Sequence, residues 1–376
     1  MQVQVLSYPP FKVFMKIIIF AGGTGTRFWP LSRRHFPKQF KKIFNGEKKQ
    51  KSTLQLAVDR LEKTFGTDNI YISTNENYVT LVKEQVPQIP TSNIIAEPLK
   101  RNVGPAVGFA LINLRKMGYK GPIALLWADH LIDRVDQFIR ALQTGKNLVY
   151  KNPKQLVMIS EEPRYAENNL GWIHIGKNLT DSVYEFKGWK YRPELEDCKT
   201  MFESGEWKWN PGYFVSDLDF ILHLYEIFQP QMYRVLKTIE LALGTVNESS
   251  IIHRNYPKLE AIHFDTAIAE RVSHTDAVVV TADMGWSDPG TLYALKEALI
   301  GRGTENLAKG RVFNLKTTDS VMINEDKDKL IAVYGLDGVV LVNTKDAMIV
   351  THKDNIAKMS ELVETLEKSK DYHSFT

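Results

Sequence analysis

The sequence predicts an α/β chain, with a mostly parallel sheet flanked by helices and a small β-rich domain at the C-terminal end. Three observations carry this. Ile17 to Phe20 form a short β-branched and aromatic run of the kind buried on both faces of a parallel sheet. Strand-like and helix-like segments then alternate from Ser52 to Ser160, the pattern of βαβ units. From Arg311 the texture changes to short β-like runs separated by Gly335, Asp337-Gly338 and Lys345-Asp346. The expected division is a leader over 1–14, a first domain over 15–300 with halves near 15–160 and 161–300, and a second domain over 301–376.

After the first strand come Ala21, Gly22, Gly23 and Gly25 with nothing bulky between them. Glycines at the carboxyl end of a buried strand let the backbone approach a ligand, so that successive N–H groups converge on phosphate oxygens. A tight turn without a ligand is the alternative. Thr26, Arg27 and Lys38 follow, a planar fork and a mobile point charge suited to spreading negative charge, on a segment stiffened by Pro30 and Pro37. From Arg27 to Lys51 nine cations face the single acid Glu47. Lys41, Lys42 and Lys48 to Lys51 read as a solvated face. The dinucleotide fingerprint is excluded because Phe28 stands where its third glycine belongs. The P-loop is excluded because Gly145-Lys146 and Gly176-Lys177 are each followed by Asn.

Composition narrows the partners. With 376 residues, 43% of them hydrophobic, the chain can bury a sizeable core. The net charge of +4 is concentrated near the glycine loop, favouring small anionic substrates over nucleic acid. Cys198 is the single cysteine, which excludes an internal disulfide and a multi-cysteine zinc site and fits a reducing, cytoplasmic compartment. No apolar run approaches the roughly 18 residues of a membrane helix, so no membrane partner is expected. Residues 1–14 lack a secretion-signal pattern and read as a disordered tail or an over-called start before Met15.

GGTGTRFWPLS followed by FPKQF resembles the signature of sugar-nucleotide pyrophosphorylases, and the Trp29-Pro30 and Pro37-Lys38-Gln39-Phe40 pairing is similar to mannose-1-phosphate guanylyltransferases in particular. The resemblance implies a Rossmann-like, GT-A-like nucleotidyltransferase fold. It implies that GTP and a sugar 1-phosphate are the substrates and Mg²⁺ the cofactor. Arg27, Lys38, Asp129 and Asp265 would carry the reaction.

Taken in order, Ser52 is an N-cap for a helix whose apolar face is Leu54, Ala57, Val58, Leu61 and Phe65, ended by Gly66. Asn69 to Thr74 reads as a strand, Tyr78 to Val86 as a helix and Asn93 to Glu97 as a strand. Glu97-Pro98 with Arg101, Asn102, Gly104 and Pro105 is similar to the family's E-P-x-x-R-N-T-A-P-A, implying base and ribose contacts by Glu97, Arg101 and Asn102. Val103 and Gly104 depart from it. Glu97 would accept from guanine N1–H and N2–H together, or is an exposed strand-end acid. An apolar helix is expected from Ala106 to about Met117.

The strand Pro122 to Ala128 ends in Asp129-His130, similar to the family's A-D-H. That makes Asp129 the first Mg²⁺ ligand, while His130 orients it or packs. Gln155 to Ser160 is a further strand. Gly171 is kept from the family's T-G-Y-G-Y-I, but Asn169 replaces a glycine. Where Glu-Lys-Pro is usual, the chain has Gly188 to Pro193, so Lys190 or Arg192 would meet the sugar phosphate and the usual glutamate is absent.

Asn210 and Gly212 resemble the family's W-N-S-G-M-F, for a sugar hydroxyl and close approach. Phe220 to Leu243 is helical in pattern. Asp265 matches an aspartate preceding an amphipathic helix, implying the second Mg²⁺ ligand. Val278 to Thr281 is a strand, and Asp288 of W-S-D-P-G holds a loop or touches ligand. Ile331 to Tyr334, Val339 to Val342 and Ala347 to Val350 form the C-terminal β runs, before a helix from Lys353 to about Lys368. That domain packs on the first or on another subunit, leaving a homodimer open. Another sugar 1-phosphate or base, or a non-catalytic regulatory subunit, are the alternative functions.

Overall fold

The computed structural model describes residues 14–42, 44–45 and 50–376, with the side chains of 44–45 excepted. The expected leader, except Phe14, lies outside the described residues, as do Glu47, Lys48 and Lys49.

The first strand, β1 (Lys16–Phe20), shows why its run is apolar throughout. Ile18 and Phe20 enter one core and Ile17 and Ile19 the other, on opposite faces of the sheet. A two-residue pair, β2 (Phe44–Asn45) with β3 (Gln50–Lys51), precedes α1 (Thr53–Phe65). Ser52 caps α1 in a reciprocal box with Gln55. Then come β4 (Ile70–Asn75), α2 (Val79–Gln85), β5 (Ile94–Glu97), α3 (Val103–Lys116), β6 (Pro122–Trp127), α4 (Val135–Lys151) and β7 (Leu156–Glu161). α4 was not anticipated. Strands β5, β4, β1 and β6 lie side by side and parallel, so their carboxyl ends open on one edge, where ligands bind in such sheets.

Beyond β6 the sheet changes character. β8 (Gly171–Thr180) and β9 (Val183–Tyr191) are joined by two residues, which compels an antiparallel hairpin. After α5 (Leu195–Ser204), β10 (Trp207–Asp217) runs antiparallel to β6, β7 and β8. β11 (Ala277–Ala282) is parallel to β7 and antiparallel to β9. The order is β5-β4-β1-β6-β10-β7-β11-β9-β8, and the β8–β10 pairing closes the last five strands into a ring. The sheet is therefore mixed, with parallel pairing predominant only in its first half.

Between β10 and β11 lie α6 (Leu218–Phe228), α7 (Pro230–Ala242), α8 (Glu248–Asn255) and α9 (Phe264–Ala267). The helix expected over 220–243 is two helices, broken at Gln229 (φ −133°, ψ 55°) because Pro230 excludes the helical conformation before it. The amphipathic helix expected at Asp265 is a single turn. Phe264, Ala267, Ile268 and Ala269 are all fully buried and Thr266 and Glu270 exposed, but the helix stops because Ile268 leaves helical geometry (φ −130°, ψ −62°).

After α10 (Leu292–Ile300), strands β12 (Leu307–Lys309), β14 (Val321–Asn324) and β16 (Val339–Asn343) stack in parallel, as do β13 (Val312–Leu315) and β15 (Ile331–Tyr334). Leu307, Val321 and Val340 lie in register from coil to coil. The β-rich C-terminal region is thus a short parallel solenoid, with Asn343 Nδ2 donating to Asn324 Oδ1 at 2.9 Å inside it. β17 (Met348–His352) folds back antiparallel on β16. A 3-10 segment, Lys353–Lys358, then leads to α11 (Met359–Lys368), where one helix was expected. The solenoid packs on the segment after the glycine loop. Phe28, Trp29 and Leu31 share a core with Leu292, Val340 and Met359, and Trp29 Nε1 donates to the Phe375 carbonyl at 2.7 Å.

Candidate active site

The glycine loop leaves β1 with its carbonyls turned into the protein. Gln39 Nε2 donates to the carbonyls of Ala21 (2.9 Å) and Gly23 (2.8 Å), and Ser32 Oγ to that of Gly25 (2.6 Å). The amides of Gly22, Gly23 and Thr24 have no partner among the described residues, as a phosphate cradle requires. Gly25 has φ +64°, and a Cβ there would lie 2.9 Å from the Lys38 amide. A side chain at 25 would push Lys38 away.

Lys38 Nζ lies 2.8 Å from Asp129 Oδ2 and 3.7 Å from Asp288 Oδ1. Burial alone would lower the lysine pKa, but the two carboxylates outweigh it and raise it. Burial likewise raises the Asp129 carboxyl, yet Lys38 holds it well below the usual range. The pair is therefore fully ionised at neutral pH. The Arg27 guanidinium is exposed and passes Gly290, close enough for its charge to act on Lys38. Thr26 Oγ1 meets Ser360 Oγ of α11 at 3.3 Å.

A cavity of about 550 Å³ opens at the carboxyl ends of the parallel strands. Ala21, Gly22, Gly23, Glu97, Asn102, Asp129, Gly171, Arg192, Asn210, Gly212 and Asp265 all line it. The fold thus brings together Asp129 and Asp265, far apart in the chain. Asp265 does not cap a helix; burial raises its carboxyl above the usual range, against a smaller lowering by the Asn210 side chain. Gly25, Thr26, Arg27, Lys38, Arg101 and Lys190 stand outside the lining. Arg101 Nη2 donates to the Pro257 carbonyl at 2.5 Å, and Lys190 pairs with Asp197 at 3.5 Å. Between Lys190 and Arg192, only Arg192 reaches the cavity wall. Gly104 has a packing reason: its amide donates to the Ile262 carbonyl at 2.9 Å, and a Cβ would meet that oxygen at 2.7 Å.

Three further residues support the site, and of these only Glu161 had no signal in the local sequence. His130 packs at the cavity, its Nδ1 accepting from Trp286 Nε1 at 3.1 Å, and burial lowers its pKa, so it is a neutral partner of the indole. Glu161 is fully buried; its carboxylate accepts the amides of Met284 (2.9 Å) and Trp286 (3.0 Å) and pairs with Arg164 at 2.7 Å. Burial pushes it up to about 7. It tethers the loop that carries Asp288. Gln39 lies within the recognised P-K-Q-F segment, but its task of stitching the loop appears only in three dimensions.

The nucleotidyl transferase family matches residues 16–301, and a MannoseP isomerase/GMP-like beta-helix domain matches residues 310–366. A mannose-1-phosphate guanylyltransferase of Escherichia coli is 32% identical over 361 residues, covering 94% of this chain and 74% of the relative. One of Klebsiella pneumoniae is 31% identical over 361 residues, with the same coverage. A crystal structure described as mannose-1-phosphate geranyltransferase from Thermus thermophilus has a TM-score of 0.81 at 24% identity, covering 94% of this chain and 99% of that one; this likeness is one of fold. With its glycine loop, its strand-tip aspartate and all but the first strand of its solenoid in the matched regions, the chain belongs to the nucleotidyltransferase family, among the mannose-1-phosphate guanylyltransferases.

Proposed function

We propose that this chain joins α-D-mannose 1-phosphate to GTP, giving GDP-mannose and pyrophosphate. The observation that carries the reading is the Lys38–Asp129 pair, set against a glycine loop with free amides, on the cavity that Asp265 also lines. A phosphate oxygen of the sugar 1-phosphate attacks the α-phosphorus of GTP in line. The bond from that phosphorus to the bridging oxygen of the β-phosphate breaks, and pyrophosphate leaves with the electron pair. No covalent enzyme intermediate forms, so the protein's work is alignment and charge stabilisation.

In this reading the amides of Gly22 and Gly23, with Gly25, Thr26 and Arg27, hold the triphosphate, and Lys38 meets phosphate near the reacting centre. Glu97 and Asn102 hold base and ribose, while Gly171, Arg192, Asn210 and Gly212 receive the sugar phosphate. Arg101 and Lys190 would join only by leaving their present partners. Asp129 and Asp265 would hold Mg²⁺. Two hard carboxylates on one cavity fit that ion, which takes one or two carboxylates and completes its shell with water and substrate phosphate. Among the described residues no group of three His, Cys, Asp or Glu side chains gathers to hold an ion without substrate. When bound, Mg²⁺ supplies positive charge across the phosphates.

The division into 15–300 and 301–376, a cytoplasmic location and a homodimer belong to the same reading. So do small anionic substrates, rather than nucleic acid or a membrane, as its partners. No helix among the described residues is long and apolar enough to cross a membrane. A second reading, another hexose 1-phosphate, is favoured by the cavity wall at Trp189, Tyr191 and Arg192, where the family's glutamate is missing. Incubation with Mg²⁺ and a panel of sugar 1-phosphates, each with every nucleoside triphosphate, tests both. Pyrophosphate release with mannose 1-phosphate and GTP supports the first; release only with a different sugar supports the second.

A further inference from the structure

Tyr256 is fully buried on the one-turn segment Tyr256–Lys258 that follows α8. Its ring meets Phe109 of α3 edge-on, with centroids 5.3 Å apart. Its hydroxyl donates to Glu97 Oε2 at 2.5 Å. Glu97, 5% exposed at the end of β5, lines the cavity, and its Oε1 lies on the loop side, 3.0 Å from where a Cβ on Gly22 would sit. Neither neighbouring cation is bonded to it: Lys100 Nζ donates to Thr24 Oγ1 at 3.2 Å and Arg101 to the Pro257 carbonyl. A carboxylate buried for structure alone is ordinarily paired with a cation. This one is held by a neutral hydroxyl, and each oxygen keeps accepting capacity toward a neutral ligand edge.

We propose that Tyr256 is a positioning residue for base selection, fixing the Glu97 carboxylate so that its remaining lone pairs meet the N1–H and 2-amino donors of guanine. This rests on the reading that Glu97 contacts the base. The hydroxyl selects one rotamer of Glu97 in advance of binding. Without it the carboxylate must be ordered by the nucleotide itself, which costs affinity for the base that uses both donors. Tyr256 touches no phosphate in this arrangement, so its effect falls on nucleotide affinity and leaves the chemical step alone.

The test is calorimetric binding of GTP, ITP and ATP at pH 8, above the value of about 7 to which burial raises Glu97, to the wild-type protein, Tyr256→Phe and Glu97→Gln, with melting temperatures as the folding control. GTP offers both donors, ITP only N1–H and ATP neither. Tyr256→Phe is expected to weaken GTP about tenfold, the scale of one lost hydrogen bond to a charged group, while ATP changes less than about twofold and kcat at saturating GTP is kept. Glu97→Gln keeps a hydrogen-bonding partner for Tyr256 and is expected to abolish the preference for GTP over ITP, which tests the base contact on which the proposal rests. An equal loss for all three nucleotides, unchanged GTP binding in Tyr256→Phe, or a wild-type protein indifferent to the base overturns the proposal. A wild-type protein that binds GTP selectively yet forms no nucleotide sugar would instead overturn the catalytic reading, and the binding comparison would still decide the role of Tyr256.

Discussion

Lys38 Nζ stands 2.8 Å from Asp129 Oδ2, tying the cationic segment after the glycine loop to the tip of β6. Each charge stabilises the other in a half-buried position, and substrate phosphate must share the lysine with the aspartate. Lys38→Ala is expected to lower kcat by roughly 10²- to 10³-fold, the usual cost of one preorganised electrostatic group. Circular dichroism should show a folded protein. Normal turnover by a folded Lys38→Ala would remove the lysine from the mechanism.

Gly25 makes that placement possible. In Gly25→Ala the new methyl would press on the Lys38 backbone and the residue would sit at φ +64°. Displacing a reacting group by about 1 Å can cost on the order of 10²-fold in rate, so kcat should fall by about that much, with only a modest loss of melting temperature. Wild-type activity in Gly25→Ala would show that the loop relaxes without moving Lys38.

Asp265 is the second carboxylate of the cavity. Manganese, as a spectroscopic stand-in for Mg²⁺, should bind the wild-type protein with GTP, and its electron paramagnetic resonance signal should report weaker binding in Asp265→Asn and Asp129→Asn. Chelator should stop turnover and Mg²⁺ restore it. Identical manganese affinity in all three proteins would discard the carboxylate pair as a metal site.

Buried Glu161 and Glu97 are both pushed from the ordinary 4.5 up to about 7 by burial. The folded protein therefore holds protons that the unfolded chain releases between these values. Their stabilising contribution is complete below about pH 4.5 and is lost as pH rises through about 7, by up to roughly 3 kcal/mol each. Urea unfolding at pH 5 and pH 8 should show this loss in the wild-type protein and a smaller one in Glu161→Gln. An unchanged slope in the variant would mean that Glu161 is ionised throughout.

The core shared by Phe28, Trp29 and Leu31 with the solenoid couples stability to the loop. Leu292 is fully buried there, so Leu292→Ala should cost about 2–5 kcal/mol. If that core steadies the loop, GTP affinity should fall as well; a stability loss with unchanged GTP affinity would uncouple the two.

How far the sequence could be read follows from how local each feature is. β1, the glycines, Arg27 and Lys38 are contiguous, and the strand-tip position of Asp129 follows from the apolar run before it, so this part of the site was visible. Asp265 was reached by resemblance alone, since an aspartate before one buried helical turn carries no signal of its own. The antiparallel half of the sheet was missed because β10 pairs with three strands at once, a property of topology rather than of composition. α4 was missed with Gly145 in its middle, and the structure supplies the reason for that glycine: a Cβ would come within 3.1 Å of Val215. Glu161 and Tyr256 act on partners more than a hundred residues away, which no spacing rule reveals.

The most direct measurement is phosphorus NMR of the wild-type protein with Mg²⁺, GTP and α-D-mannose 1-phosphate, alongside Asp129→Asn. Equimolar GDP-mannose and pyrophosphate are expected from the wild type and no product from the variant on the same timescale. A wild-type protein that leaves both substrates intact, or an Asp129→Asn protein that converts them at the wild-type rate, would contradict it.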